Sequence, residues 1–586
     1  MKAPRVVRAI VVLIVTAGLS ASCASLSTIE TPTEAPLRTK APPTQEPTAE
    51  PEPVTMFVFG RGSDSLQLDP AVVTDDESFR VSGQCLEPLY RYEPGSTRPI
   101  PALAAACTPN VGGTRWVCQL REGVEFHDGT AFDADAVVFN FERWRFTENP
   151  YHFESQVFEY YARMWDGFDD DSVITAIEKV GDYTVTFVLS APRASFLATL
   201  AMDAFAISSP AAIEEYGAEY GLPEVGCVGT GPFVFQEWIE GDHITVRAND
   251  GHWDGRPTVD QVTWRVIPDP PLRFQSLKAG DIHAMAGATA EDLAAAEADP
   301  ALDILVRPAM DTAYLAFPFR TEEFRDIRVR EAVAHAIDRE GLVRDFYGEY
   351  GEVATNLLPP VVWGHNDAIE DWAYDPALSR QLLAEAGFPD GLSEVTTAED
   401  LEDAGGDVIY EAGDTLPLTL YYLPVPRPYY PAPREIGEAI VADLVSVGIS
   451  VTLESTGDWL SYLELRRLGL LPGLYMHGWI GDNGDPADFH DYFFGGLSAP
   501  DEEKEPDPSQ GFYANQEVAG LLYEAATRPD QAEREPLYKQ VEQLLHDDVA
   551  RLWIVHTSAP LLFSTQVSGY VPQPVGADYY EFTILE

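Results

Sequence analysis

The sequence predicts a layered α/β body, and three observations carry that expectation. From Met56 onward, short β-like apolar runs punctuated by Gly and Pro alternate with amphipathic stretches. Val329, Ala332, Val333, Ala336 and Ile337 repeat at i, i+3, i+4, i+7 and i+8, which places them on one helical face. Ile436, Ile440, Leu444 and Val447 mark a second such face that stops at Gly448, after which Ile449, Val451 and Leu453 alternate as a strand.

With 586 residues the chain is too long for a single hydrophobic core and long enough for two or three domains. Apolar residues make up 45% and charged residues 23%, an ordinary globular balance. The charge is not ordinary, because 95 acidic against 38 basic residues leave a net charge of -57. Nucleic acid and anionic membrane surfaces would repel such a body, so neither is expected as a partner.

The N-terminus reads as an export signal over residues 1–22. Lys2, Arg5 and Arg8 precede a short apolar run, Ala9 to Leu19, and the small residues Ser20, Ala21 and Ser22 lead into Cys23. A bilayer-spanning helix needs about twenty apolar residues, more than this run supplies. The small residues before Cys23 resemble the bacterial lipobox, which implies lipidation of Cys23, although Ser20 stands where that motif usually has Leu. Residues 23–53 are rich in Pro, Thr, Ser and Glu, so they are expected to form an extended tether rather than a core.

Five cysteines are present, and setting Cys23 aside leaves an even number for an oxidising compartment. Cys107 and Cys118 flank the turn-rich Asn110-Val111-Gly112-Gly113, so a hairpin would set their sulfurs opposite one another. Cys85 and Cys227 pair by elimination, with two buried free thiols as the alternative.

A series of stretches resembles the family 5 extracellular solute-binding proteins of ABC importers. Leu120 to Gly129, followed by Ala134-Asp135-Ala136-Val137-Val138-Phe139, is one, and Gly229-Thr230-Gly231-Pro232-Phe233 is the next. Asp326 to Val333, Tyr374-Asp375-Pro376 and Glu385-Ala386-Gly387-Phe388-Pro389 follow in order, so the likeness runs from about Met56 to Glu586. Val425-Pro426-Arg427-Pro428-Tyr429-Tyr430-Pro431 and Gly478-Trp479-Ile480-Gly481-Asp482-Asn483-Gly484-Asp485-Pro486 are similar to stretches of the family's dipeptide binders.

The resemblance implies a two-lobe periplasmic-binding-protein-like fold (class C), with an extra subdomain on lobe one near 86–228. Lobe one would span 54–311, lobe two 312–556, and the tail 557–586 would return to lobe one. It implies a monomeric protein, lipid-anchored outside the cell membrane or in the periplasm, that hands short peptides to the permease subunits of an ABC importer without a cofactor. It also implies that Arg427 binds the peptide carboxylate and Asp482 the α-amine, with Tyr429 and Trp479 beside them as ligand-binding residues.

Physical chemistry supports that pairing, since a short peptide is a zwitterion. Arg presents a planar fork to a carboxylate, and an ionised Asp accepts hydrogen bonds from an ammonium. Other readings of the same residues stay open. Arg427 could serve a surface ion pair, and 482–486 could be a turn, since Asp, Asn, Gly and Pro favour turns. His477, Asp482, Asp485, Asp488 and His490 lack zinc-like or EF-hand spacing, so no metal site is expected. His127-Asp128-Gly129 reads as a polar turn before a helix capped by Asp133, and Gly229 and Gly231 as positions of unusual backbone conformation. Family 5 binders of longer peptides, haem, glutathione-like peptides or nickel are the alternatives. A secreted hydrolase is a poorer one, because neither a Gly-x-Ser-x-Gly elbow nor a His-Glu-x-x-His helix is present.

Overall fold

Two mixed sheets organise the chain in the computed structural model, which describes residues 54–153, 156–495 and 513–585. The export signal, Cys23, the linker and nearly all of the acidic loop 495–511 lie outside the described residues. The first sheet has seven strands, in the order Leu302–Arg307, Ala559–Ser564, Ala284–Met285, Met56–Arg61, Gln261–Val266, His243–Ala248, Phe233–Ile239. The second has six, in the order Gly351–Val353, Arg551–Thr557, Asp311–Ala316, Leu474–Ile480, Thr419–Tyr421, Thr452–Glu454. A four-stranded antiparallel sheet, built from segments between Ala104 and Leu189, accompanies them.

The chain passes between the two large sheets twice. Strand Leu302–Arg307 of the first leads through three residues into Asp311–Ala316 of the second, and Arg551–Thr557 returns through Ser558 into Ala559–Ser564. The passages are tied together, because Asp311 accepts hydrogen bonds from the Thr557 backbone N–H (2.7 Å) and from its hydroxyl.

Local sequence explains the elements. Val329, Ala332, Val333 and Ala336 are buried on helix Ile327–Ala336, as their spacing predicts, and Ile337 caps it. Helix Pro433–Ser446 buries Ile436, Ile440 and Leu444, and Gly448 (φ +96°) ends it in the left-handed region. Asp133 caps helix Ala134–Arg145 by accepting from the backbone N–H groups of Asp135 and Ala136. Gly229 and Gly231 serve space rather than conformation, because a Cβ on either would collide with the Cys85 carbonyl group.

The cysteines divide differently from the expectation. Cys107 and Cys118 face each other in register and form a disulfide with their Cα atoms 4.0 Å apart. Cys85 and Cys227 are buried free thiols, which corrects the second expected bridge. Both sit in the apolar core of the seven-stranded sheet, where a thiol packs as a small hydrophobe. Burial, reinforced by Cys85, pushes the Cys227 thiol well up, away from the reactive thiolate.

Candidate functional site

A cavity of about 520 Å³ lies where the sheets exchange strands, a volume within the roughly 300–1,000 Å³ usual for small-ligand sites. Both Arg427 and Asp482 line it, together with Tyr160 and the passage residues Asp311 and Thr557. On the side of the seven-stranded sheet the wall comes from the start of helix Asp76–Cys85 and from the C-terminal segment 574–578.

Arg427 is held by a tight turn. Its N–H donates to the Tyr430 carbonyl (3.0 Å) and the Tyr430 N–H donates back (2.9 Å). The guanidinium carbon lies 4.2 Å from the centroid of Trp459, the first residue of helix Trp459–Arg467. Trp459 in turn stacks on Tyr462 and His477, so the platform is anchored in the core. Among the described residues Arg427 makes no ion pair, and its Nε is buried without a hydrogen-bond partner. An unpaired planar cation on an aromatic platform is suited to bind a carboxylate.

Asp482 follows strand Leu474–Ile480. The Gly481 N–H donates to the Met310 carbonyl (2.7 Å), which fixes the carboxylate beside the first passage. One carboxylate oxygen accepts from the Tyr160 hydroxyl (3.2 Å), and the other pairs with Arg163 at 2.6 Å. Below it, Asp488 accepts the Asp482 backbone N–H at 2.6 Å. Burial pushes both carboxyls up. Asp488 goes further because the Asp482 charge adds to burial, whereas Arg163 and Tyr160 oppose burial at Asp482.

Two further cations of the wall are paired within the protein, while the carboxylates of Asp75, Asp76 and Asp203 also line it. Arg80 and Arg307 both pair with Asp578, at 3.2 and 2.6 Å. Burial pushes the Asp311 carboxyl up to about 7 against its two bonds from Thr557.

Tyr429 and Trp479 are not among the lining residues. Tyr429 is buried, its ring lies where a Cβ of Gly478 would be, and its carbonyl accepts from the Tyr347 hydroxyl (2.9 Å). Trp479 packs edge-on against Phe493. Both side chains point from the same turn and strand as the site residues, but toward the core. The His and Asp residues near Asp482 are also consumed structurally. Asp485 holds Arg534 through both oxygens (2.6 and 2.7 Å), and His490 meets Glu542 at 2.8 Å. Sequence reasoning missed Tyr160, Arg163 and Trp459, which belong to ordinary amphipathic segments and carry no motif.

Two sheets joined by two chain passages beside a ligand-sized cavity define a two-lobed solute-binding protein. Residues 98–501 match the bacterial extracellular solute-binding proteins, family 5, and the chain belongs to that family. It is 31% identical to the dipeptide-binding protein of Escherichia coli over 89% of this chain and 92% of that one. It is also 31% identical to heme-binding protein A of Haemophilus influenzae, over 89% and 91%. Among solved structures, HbpA2 from Haemophilus parasuis superposes with a TM-score of 0.79 at 27% identity, over 91% of this chain and all of that one. The periplasmic binding protein DppA from Helicobacter pylori, in complex with the peptide STSA, gives 0.68 at 27% identity over 91% and 98%.

Proposed function

We propose that this chain captures dipeptides or other short peptides outside the cytoplasm and delivers them to an ABC importer. Asp482 receives the α-ammonium and Arg427 the α-carboxylate. The observation that carries the reading is the placing of these two opposite charges, far apart in sequence, on one cavity. Similarity to the dipeptide-binding relative supports the ligand class.

Because the wall draws on both sheets, a peptide in the cavity would contact both lobes and favour their closed arrangement. The passages at 308–310 and 558 would act as the hinges, and the permease subunits would read the closed form. The tether and a lipid on Cys23 would hold the monomeric body at the outer face of the membrane. Calorimetry with one dipeptide and its C-terminal amide tests the assignment, with longer peptides and haem in the same panel. Binding of the acid and loss with the amide are expected. Equal affinity for both would overturn it.

A further inference from the structure

The two opposite charges Arg427 and Asp482 on the cavity wall are not equivalent. Arg427 meets no carboxylate among the described residues, whereas Asp482 accepts from the Tyr160 hydroxyl through one oxygen and forms an ion pair with Arg163 through the other. Its partner Arg163 lies on the short helix Glu159–Met164 and covers the Tyr160 ring at 4.6 Å. Arg163 does not itself line the cavity that Asp482 lines. Its side chain is one-third exposed against 13% for Asp482, so the cation stays solvated while it neutralises the carboxylate.

We propose that Arg163 is a specificity-determining residue that weakens the demand for a free ammonium at the Asp482 end. The role rests on the peptide-end assignment made above. Coulomb energy falls as the inverse of distance. A ligand ammonium on the open side of Asp482 would lie roughly twice as far from Arg163 as from the carboxylate, so repulsion would cancel about half the attraction. At Arg427 no paired carboxylate among the described residues offsets the attraction in the same way. The cavity therefore selects strictly for a carboxylate and loosely for an amine, and it retains short peptides whose N-terminus is blocked.

The test compares one dipeptide with its N-acetyl and C-amide forms by calorimetry, on the wild type and on Arg163→Gln, Arg163→Ala and Arg163→Lys. In the wild type, acetylation is expected to cost less than about tenfold and amidation about 30-fold or more. Arg163→Gln and Arg163→Ala should each raise the acetylation penalty about tenfold by tightening the free dipeptide, with the acetylated form unchanged. Arg163→Lys, which keeps the charge, should keep the wild-type pattern. An acetylation penalty that is the same in wild type and both neutral variants would overturn the role of Arg163 while leaving the assignment of the ends intact. Indifference to both modifications in every protein would sink the end assignment and this role together.

Discussion

The Arg427 guanidinium lies 4.2 Å from the centre of the Trp459 ring, held there without an ion pair among the described residues. The aromatic face stabilises the cation by about 0.5–2 kcal/mol and fixes its plane. Trp459→Leu should therefore weaken binding of a free dipeptide by about 2- to 30-fold. Arg427→Gln should do so by roughly 30-fold or more, the usual cost of truncating one partner of a buried charge pair. Titration calorimetry on both variants checks the order. A Trp459 variant with wild-type affinity would show that the platform does not position the cation.

Asp482→Asn should act on the empty protein as well as on binding, because Arg163 loses its counter-ion at 2.6 Å. The ligand-free protein should lose about 1 kcal/mol, the upper end for a partly exposed pair. Thermal melting without ligand measures this. An unchanged melting temperature would mean that the pair contributes nothing to the empty state.

Asp311 should make stability depend on pH. Burial raises its folded pKa from an ordinary 3.8 to about 7, so its contribution is fully present below about pH 4 and is lost as pH rises through 7. At about 1.4 kcal/mol per unit the loss is up to about 4 kcal/mol. Neighbouring His556, whose pKa burial lowers to about 4, acts in the opposite sense and loses its contribution as pH falls below 6.5. Asp311→Asn isolates the carboxyl. Its stability relative to wild type should increase between pH 4 and pH 8, and a constant difference in melting would refute the shift.

Thiol labelling of native protein should leave Cys107 and Cys118 unmodified, and peptide mapping should recover them linked. Cys85 and Cys227 should label only after unfolding, since both are buried thiols. A recovered Cys85–Cys227 peptide would contradict the core described here.

Cys23, outside the described residues, should carry lipid. The protein should then fractionate with membranes, and Cys23→Ser should be released or remain uncleaved. Wild-type protein that is soluble, with its N-terminus elsewhere, would end the lipoprotein reading.

Much of the fold was legible because its signals are local. The Asp133 cap, the apolar face from Val329 and the hairpin around Asn110 each depend on residues within a turn or two of one another. Family resemblance pointed to Arg427 and Asp482, and both line one cavity. The same stretches misled at Tyr429 and Trp479. A turn and a strand send neighbouring side chains to opposite sides, and composition does not say which side faces a ligand.

The sequence by itself determined the α/β layering and the cysteine hairpin, which follow from backbone periodicity and turn chemistry, while family resemblance singled out the opposite charges Arg427 and Asp482. Only the tertiary structure decided what those charges meet. Arg163 reaches Asp482, Trp459 underlies Arg427, and Cys85 and Cys227 remain thiols, because packing brings together residues that share no local pattern. Electrostatic energy depends on that final distance and burial rather than on separation along the chain.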